Sequence, residues 1–155
     1  MKGLAPKHPL IERISNKLGR IRRNGFSEIK ESITNRRKIA KIGRRLEAWV
    51  KEKRHLEEYG STDELLNELG ITNKELSFYC SRVFQKRFVT WRKELRIHEA
   101  KELLLKHPKA PVCHIGFAAG FSDKSNFRHQ FKKVVGCTPN EWRAMHLDEY
   151  PEAKG

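Results

Sequence analysis

The chain repeats itself. One pattern runs Leu65, Leu69, Gly70, Ile71, Thr72, Leu76, Cys80, Val83 and then Trp91-Arg92. A second runs Ile115, Ala119, Gly120, Phe121, Ser122, Phe127, Phe131, Val134 and then Trp142-Arg143. The offset is 50 up to Ser122 and 51 after it, which places a one-residue insertion at the start of the later helix. In each copy apolar residues at helical spacing lead into a glycine, and a second amphipathic stretch follows. That is the pattern of two helices joined by a tight turn, the helix-turn-helix. A duplicated pair limits the fold sharply: each copy must bury its own apolar face, and the segment between them must join two small cores.

Other signals agree with an all-α chain. Ser61-x-x-Glu64, Thr72-x-x-Glu75 and Thr138-x-x-Glu141 match the capping box, and Pro139 stands where a first helical residue tolerates proline. The stretch from about Val89 to Lys106 has no breaker and stops before Pro108. It predicts a linker helix of about 18 residues, roughly 27 Å long. Upstream, Leu10, Ile14, Leu18 and Ile21 have helical spacing, Asn24-Gly25 breaks it, and Ser27 is a candidate cap. Ile39, Ile42, Leu46, Trp49, Lys53 and Leu56 continue on one face, with an end expected near Gly60; one helix or two over 27–58 is left open, Thr34–Lys38 being the weak point. No stretch alternates in a strand-like way. The expected organisation is a basic helical connector over 1–41, a repeat domain over 42–146 and a tail over 147–155. Within the domain lie a first unit (42–87), a linker helix (88–107) and a second unit (111–146).

Charge narrows the partners. The 155 residues carry 33 basic and 19 acidic side chains, a formal charge of +14. Residues 1–60 hold 17 of the bases and 7 of the acids. Such an excess favours polyanions. Two helix-turn-helix patterns on a basic chain point to double-stranded DNA gripped twice. The competing reading is a helical interaction module whose basic surface binds RNA or an acidic protein. Three cysteines, Cys80, Cys113 and Cys137, have no framework or zinc spacing and fit free thiols in a reducing cytoplasm. No apolar stretch suggests a membrane span, and the first residues lack a secretory core. No nucleophile–base pair, paired acids or phosphate-cradling glycine loop appears, so neither an enzyme nor a cofactor is expected.

In such units the inner face of the second helix is apolar and the outer face reads base edges. In the first unit Leu76, Cys80 and Val83 are expected inside, leaving Asn73, Lys74, Ser77, Phe78 and Ser81 outside. In the second, Phe127, Phe131 and Val134 are expected inside, with Lys124, Ser125, Arg128, His129 and Lys132 outside. Lys74, Ser77, Phe78, Ser81, Lys124, Ser125, Arg128 and His129 are the candidate base contacts. Thr72, Arg82, Lys86, Arg87, Ser122, Lys132, Lys133 and Arg143 are the candidate phosphate contacts, Thr72 and Ser122 through backbone amides. The run Arg36-Arg37-Lys38 with Lys41, Arg44 and Arg45 either extends a DNA footprint, forms a solvated helix face, or is a polybasic membrane-surface segment. Ile29, Ile33, Ile39, Ile42 and Leu46 offer a face for dimerisation or for packing on the first unit.

The string Ile115 through Gly120-Phe121-Ser122-Asp123-Lys124-Ser125-Asn126-Phe127, then Phe131-Lys132-Lys133, Gly136 and Thr138-Pro139-Asn140-Glu141-Trp142-Arg143, closely resembles the DNA-binding domain of the AraC/XylS transcription regulators. The segment Trp91 to Leu105 is similar to that family's connecting helix, and the resemblance covers about residues 42–146. It implies a seven-helix domain with both recognition helices in the major groove, and base contacts at Lys74, Ser77, Phe78, Ser125 and His129. It departs at Phe78, where a polar or basic residue is usual, at Gln85, where glycine is common, and at His129, where many relatives have arginine. Relatives usually carry a sensing or dimerisation domain upstream. Residues 1–41 are too few for one, so the chain is expected to be either a minimal member or the C-terminal part of a longer regulator. RNA polymerase is an expected partner, and a homodimer would form through the N-terminal helices or an upstream domain.

Overall fold

The computed structural model describes the backbone of residues 29–147 and the side chains of 33–147. The expected helix over Leu10–Ile21, the Asn24-Gly25 break, the Ser27 cap and most of the tail lie outside the described residues. Within them the chain is helical and free of strands: α1 (Ile29–Lys51), α2 (Thr62–Leu69), α3 (Asn73–Tyr79), α4 (Phe88–Lys106), α5 (Val112–Ala118), α6 (Lys124–Val135) and α7 (Pro139–His146). A 3-10 turn spans Arg54–Leu56, and a π turn, Cys80–Phe84, continues α3. α1 runs unbroken through Thr34–Lys38 and through position 41–42, and it ends at Lys51 rather than near Gly60.

These residues fall into two compact units. The first comprises 29–54 and 59–88; the second comprises 55–58 and 89–147. In the first, α1 buries Ile39, Ile42, Leu46, Trp49 and Val50. Packing within the unit therefore takes up most of the isoleucine-rich face, and Ile33 alone of its described members is exposed. The Trp49 indole donates to the Tyr59 hydroxyl at 2.8 Å, and Arg54 pairs with Glu68 through two nitrogens.

In the second unit, α4 belongs to the core from Ile97 to Leu105, with Val112, Ile115, Ala119, Phe121, Phe127, Phe131 and Trp142. Phe121, Phe127, Phe131 and Trp142 form a chain of tilted and edge-on rings, with centroids 5.1 to 6.4 Å apart. Such contacts add to simple area burial. Val134, expected inside, is exposed; Val135 packs on the core instead. Helical spacing alone favours Val134, which follows Phe127 by seven and Phe131 by three, so packing within the unit rather than periodicity selects Val135.

The first unit buries Tyr79, Cys80 and Val83 where α6 buries only Phe131. The π turn over Cys80–Phe84 is the difference, because a wider turn brings additional successive residues to the inner side. Burial pushes the Cys80 thiol up to about 12. The turn ends at Gln85, which takes the left-handed backbone conformation at φ 56°. Gly136, 51 residues on, does the same at φ 92°. An L-residue pays about 1–2 kcal/mol there, while glycine adds unfolded-state entropy. Gln85→Gly is therefore expected to stabilise the first unit by about 0.5–1 kcal/mol, read as a higher urea midpoint.

Candidate nucleic-acid interface

The second helix of each pair, α3 and α6, is set by a glycine turn and a side-chain cap. After α2, Gly70 is left-handed; its amide donates to Asn67 O at 3.1 Å and Ile71 N donates to Leu66 O at 3.2 Å. After α5, Gly120 N donates to Phe117 O at 2.9 Å and Phe121 N to Gly116 O at 3.0 Å. The two turns are the same hydrogen-bonded motif, offset by 50 residues. The caps then differ. Thr72 caps α3, whereas Asp123 rather than Ser122 caps α6, accepting from Asn126 N at 2.6 Å. The inserted residue is thus Ser122, which lengthens the second turn before its helix begins.

The capping boxes at Thr72/Glu75 and Thr138/Glu141 are complete. At α2, Ser61 caps Glu64 N, but the Glu64 carboxylate accepts from Gly60 N instead of returning to Ser61. Amide donation from Thr72 holds the Glu75 carboxyl below its usual range, helped by the Lys38 and Lys41 charges.

An arginine lies against each turn. Arg45 of α1 donates to the carbonyls of Leu69, at 3.2 Å, and Gly70. Its counterpart 51 residues on, Arg96 of α4, donates to His55 O at 2.9 Å and Glu57 O at 2.8 Å, and its Nε lies 2.9 Å from where a Cβ on Gly120 would sit. The repeated Trp-Arg dipeptide has a matching role. Arg92 donates to the carbonyls of His55, at 3.1 Å, and Glu57. Arg143 donates to Pro108 O and Ala110 O, each at 2.8 Å. Each tryptophan is buried, and each arginine clamps carbonyls two residues apart in the loop ahead of a helix-turn-helix.

This geometry sorts the sequence candidates. In α6 the side chains of Lys124, Ser125, Arg128, His129, Lys132 and Lys133 are all exposed, with Ser125, Arg128, His129 and Lys132 in one i, i+3, i+4, i+7 row. In α3, Lys74 and Ser77 are exposed and Phe78 is half-buried. Ser81 is exposed, but its hydroxyl donates to Phe78 O at 3.0 Å. Arg82, Arg87 and Ser122 are exposed, and Lys86 is half-buried. Two phosphate candidates have their donors engaged by the protein's own acceptors. The Thr72 amide and hydroxyl both donate to Glu75 Oε2, at 2.8 and 3.0 Å. Arg143 is half-buried on its two carbonyls, and desolvation lowers its pKa. Sequence reasoning missed the arginine clamps; the 51-residue recurrence of Arg45 and Arg96 was the available signal.

Among the described residues, no group of three or more histidine, cysteine or acidic side chains is placed to hold a metal, and no helix is long and apolar enough to cross a membrane.

Several known proteins are similar to this chain. A family model described as a helix-turn-helix domain matches residues 65–145. The arabinose operon regulatory proteins of Salmonella typhimurium and Escherichia coli are each 41% identical over 56 residues, 36% of this chain and 20% and 19% of theirs. The HTH-type transcriptional regulator ArgR of Pseudomonas aeruginosa is 28% identical over 93 residues, 57% of this chain and 27% of its own. The chain thus spans about a fifth to a quarter of the length of these relatives. A Listeria innocua protein of unknown function, solved as a structure, is similar with a TM-score of 0.54 and 29% identity over 64% of this chain and 93% of that one. With its family match covering more than half of the sequence, and with two glycine-turned, capped helix pairs in the fold, this chain belongs to the AraC-type helix-turn-helix family.

Proposed function

We propose that the chain is a sequence-specific regulator of transcription that binds double-stranded DNA through α3 and α6, each in a major-groove segment, and acts in the cytoplasm without enzymatic chemistry. One observation carries the reading. α6 is sealed on one side by Phe127 and Phe131 and presents an exposed row of Ser125, Arg128, His129 and Lys132 on the other. Such a row pairs base-edge donors and acceptors with flanking positive charge. The relatives named as regulators support it. Lys74, Ser77, Phe78, Ser81, Lys124, Ser125, Arg128 and His129 are assigned to bases; Arg82, Lys86, Arg87, Ser122, Lys132 and Lys133 are assigned to phosphates. Thr72 and Arg143 leave the phosphate set. A partnership with RNA polymerase belongs to the same proposal.

Selection from a random duplex pool is the test. A bipartite motif is expected; one short undivided motif, or none, would count against two-helix readout. On the selected site, His129→Ala is expected to relax preference at one or two base pairs and cost about 1–3 kcal/mol. Lys132→Ala is expected to weaken all duplexes alike and lower the salt slope of log K by about 0.9. Preferential binding of single-stranded RNA or an acidic peptide at physiological salt would favour the interaction-module reading instead.

A further inference from the structure

The basic run of α1 divides by helix geometry. At 100° per residue, Lys38, Arg45, Lys41, Arg37 and Arg44 fall in that order across about 120° of one flank, and Arg36 falls on the other. Glu47, the one acid among residues 33–51, lies with Arg36. The flank is located by its contacts. Arg45 on it reaches the Leu69 and Gly70 carbonyls of the first helix-turn-helix turn. Lys38 and Lys41 are close enough to Glu75 to favour its charged form, so they stand beside the start of α3. Arg37, Lys38, Lys41 and Arg44 are exposed. The burial of Ile39, Ile42, Leu46 and Trp49 along the adjoining side holds α1, and hence this stripe, in place.

We propose that Arg37, Lys38, Lys41 and Arg44 form a phosphate-binding edge that grips the DNA backbone beside the groove entered by α3. The inference rests on the DNA-binding reading and extends it to a helix outside the matched region, 65–145. A strip of positive charge next to a groove-reading helix meets the phosphates flanking that groove, with no base specificity. The Glu75 carboxylate stands beside it, and that carboxylate is engaged by the Thr72 amide and hydroxyl.

The test compares two triple variants on a duplex of arbitrary sequence about 40 base pairs long, since phosphate contacts do not depend on sequence. The variant K38Q/K41Q/R44Q is expected to lower the salt slope of log K by about 2–3. It is also expected to weaken binding roughly tenfold or more at physiological salt. The variant K53Q/K106Q/K109Q removes the same charge from exposed positions outside α1, and its slope is expected to change by less than about 1. Helicity by circular dichroism should match wild type for both. Equal slope changes would overturn the phosphate edge. So would an unchanged slope with lost binding to vesicles of anionic lipid, which would assign the stripe to a membrane surface. A wild-type chain with no duplex preference would sink the DNA-binding reading and this inference with it. A selected motif alongside an unaltered slope would remove only the inference.

Discussion

Gly120→Ala is expected to destabilise the second unit by about 2–5 kcal/mol. Two penalties coincide. Gly120 holds φ at +86°, where an L-residue is disfavoured by about 1–2 kcal/mol. A Cβ there would also sit 2.4 Å from the Leu56 carbonyl oxygen, a backbone atom that cannot swing aside. Gly136 separates the two terms. Its φ is +92°, and nothing lies within 4 Å of its Cβ position. Gly136→Ala should therefore cost only the conformational part, about 1–2 kcal/mol. Urea unfolding followed by Trp142 fluorescence would report both. Equal losses would mean that the approach of Leu56 to the turn has no energetic weight.

Arg143→Ala is expected to lower the stability of the second unit by about 2–3 kcal/mol and to leave the salt slope of DNA binding unchanged. The guanidinium joins α7 to the loop ahead of α5 through the Pro108 and Ala110 carbonyls. Without it both acceptors lose a charge-assisted donor. Lysine should rescue poorly, because one ammonium cannot reproduce a planar fork directed at two carbonyls. A phosphate contact would behave in the opposite way, with stability kept and the slope reduced by about 0.9. Unfolding and salt titration of one variant thus decide between the roles.

Much of the fold was legible because the deciding signals are local. The helix-turn-helix glycines and the boxes at Thr72 and Thr138 act within a few residues of where they are written, and they marked α3 and α7 closely, while the unbroken stretch from Val89 to Lys106 ahead of Pro108 marked α4. The α6 candidates were legible for a related reason: with Phe127 and Phe131 inside, helical spacing leaves Ser125, Arg128 and His129 outside. Other choices were left open by spacing. Val134 and Val135 are both apolar neighbours, and only packing chose Val135. Ser122 and Asp123 are both able to cap, and only the hydrogen bond to Asn126 chose Asp123.

The duplicated helix pairs, the all-helical class and the outward faces of α3 and α6 were set in the linear order of residues, because periodicity and capping are short-range properties of a chain. The fate of each arginine was not. Arg45, Arg92, Arg96 and Arg143 are chemically the same as the exposed Arg82, Arg87 and Arg128, yet the first four bind carbonyls 24 to 41 positions away. Whether a guanidinium serves the protein's own backbone or is left for an anion depends on which carbonyls folding brings within about 3 Å, and that proximity exists only in three dimensions.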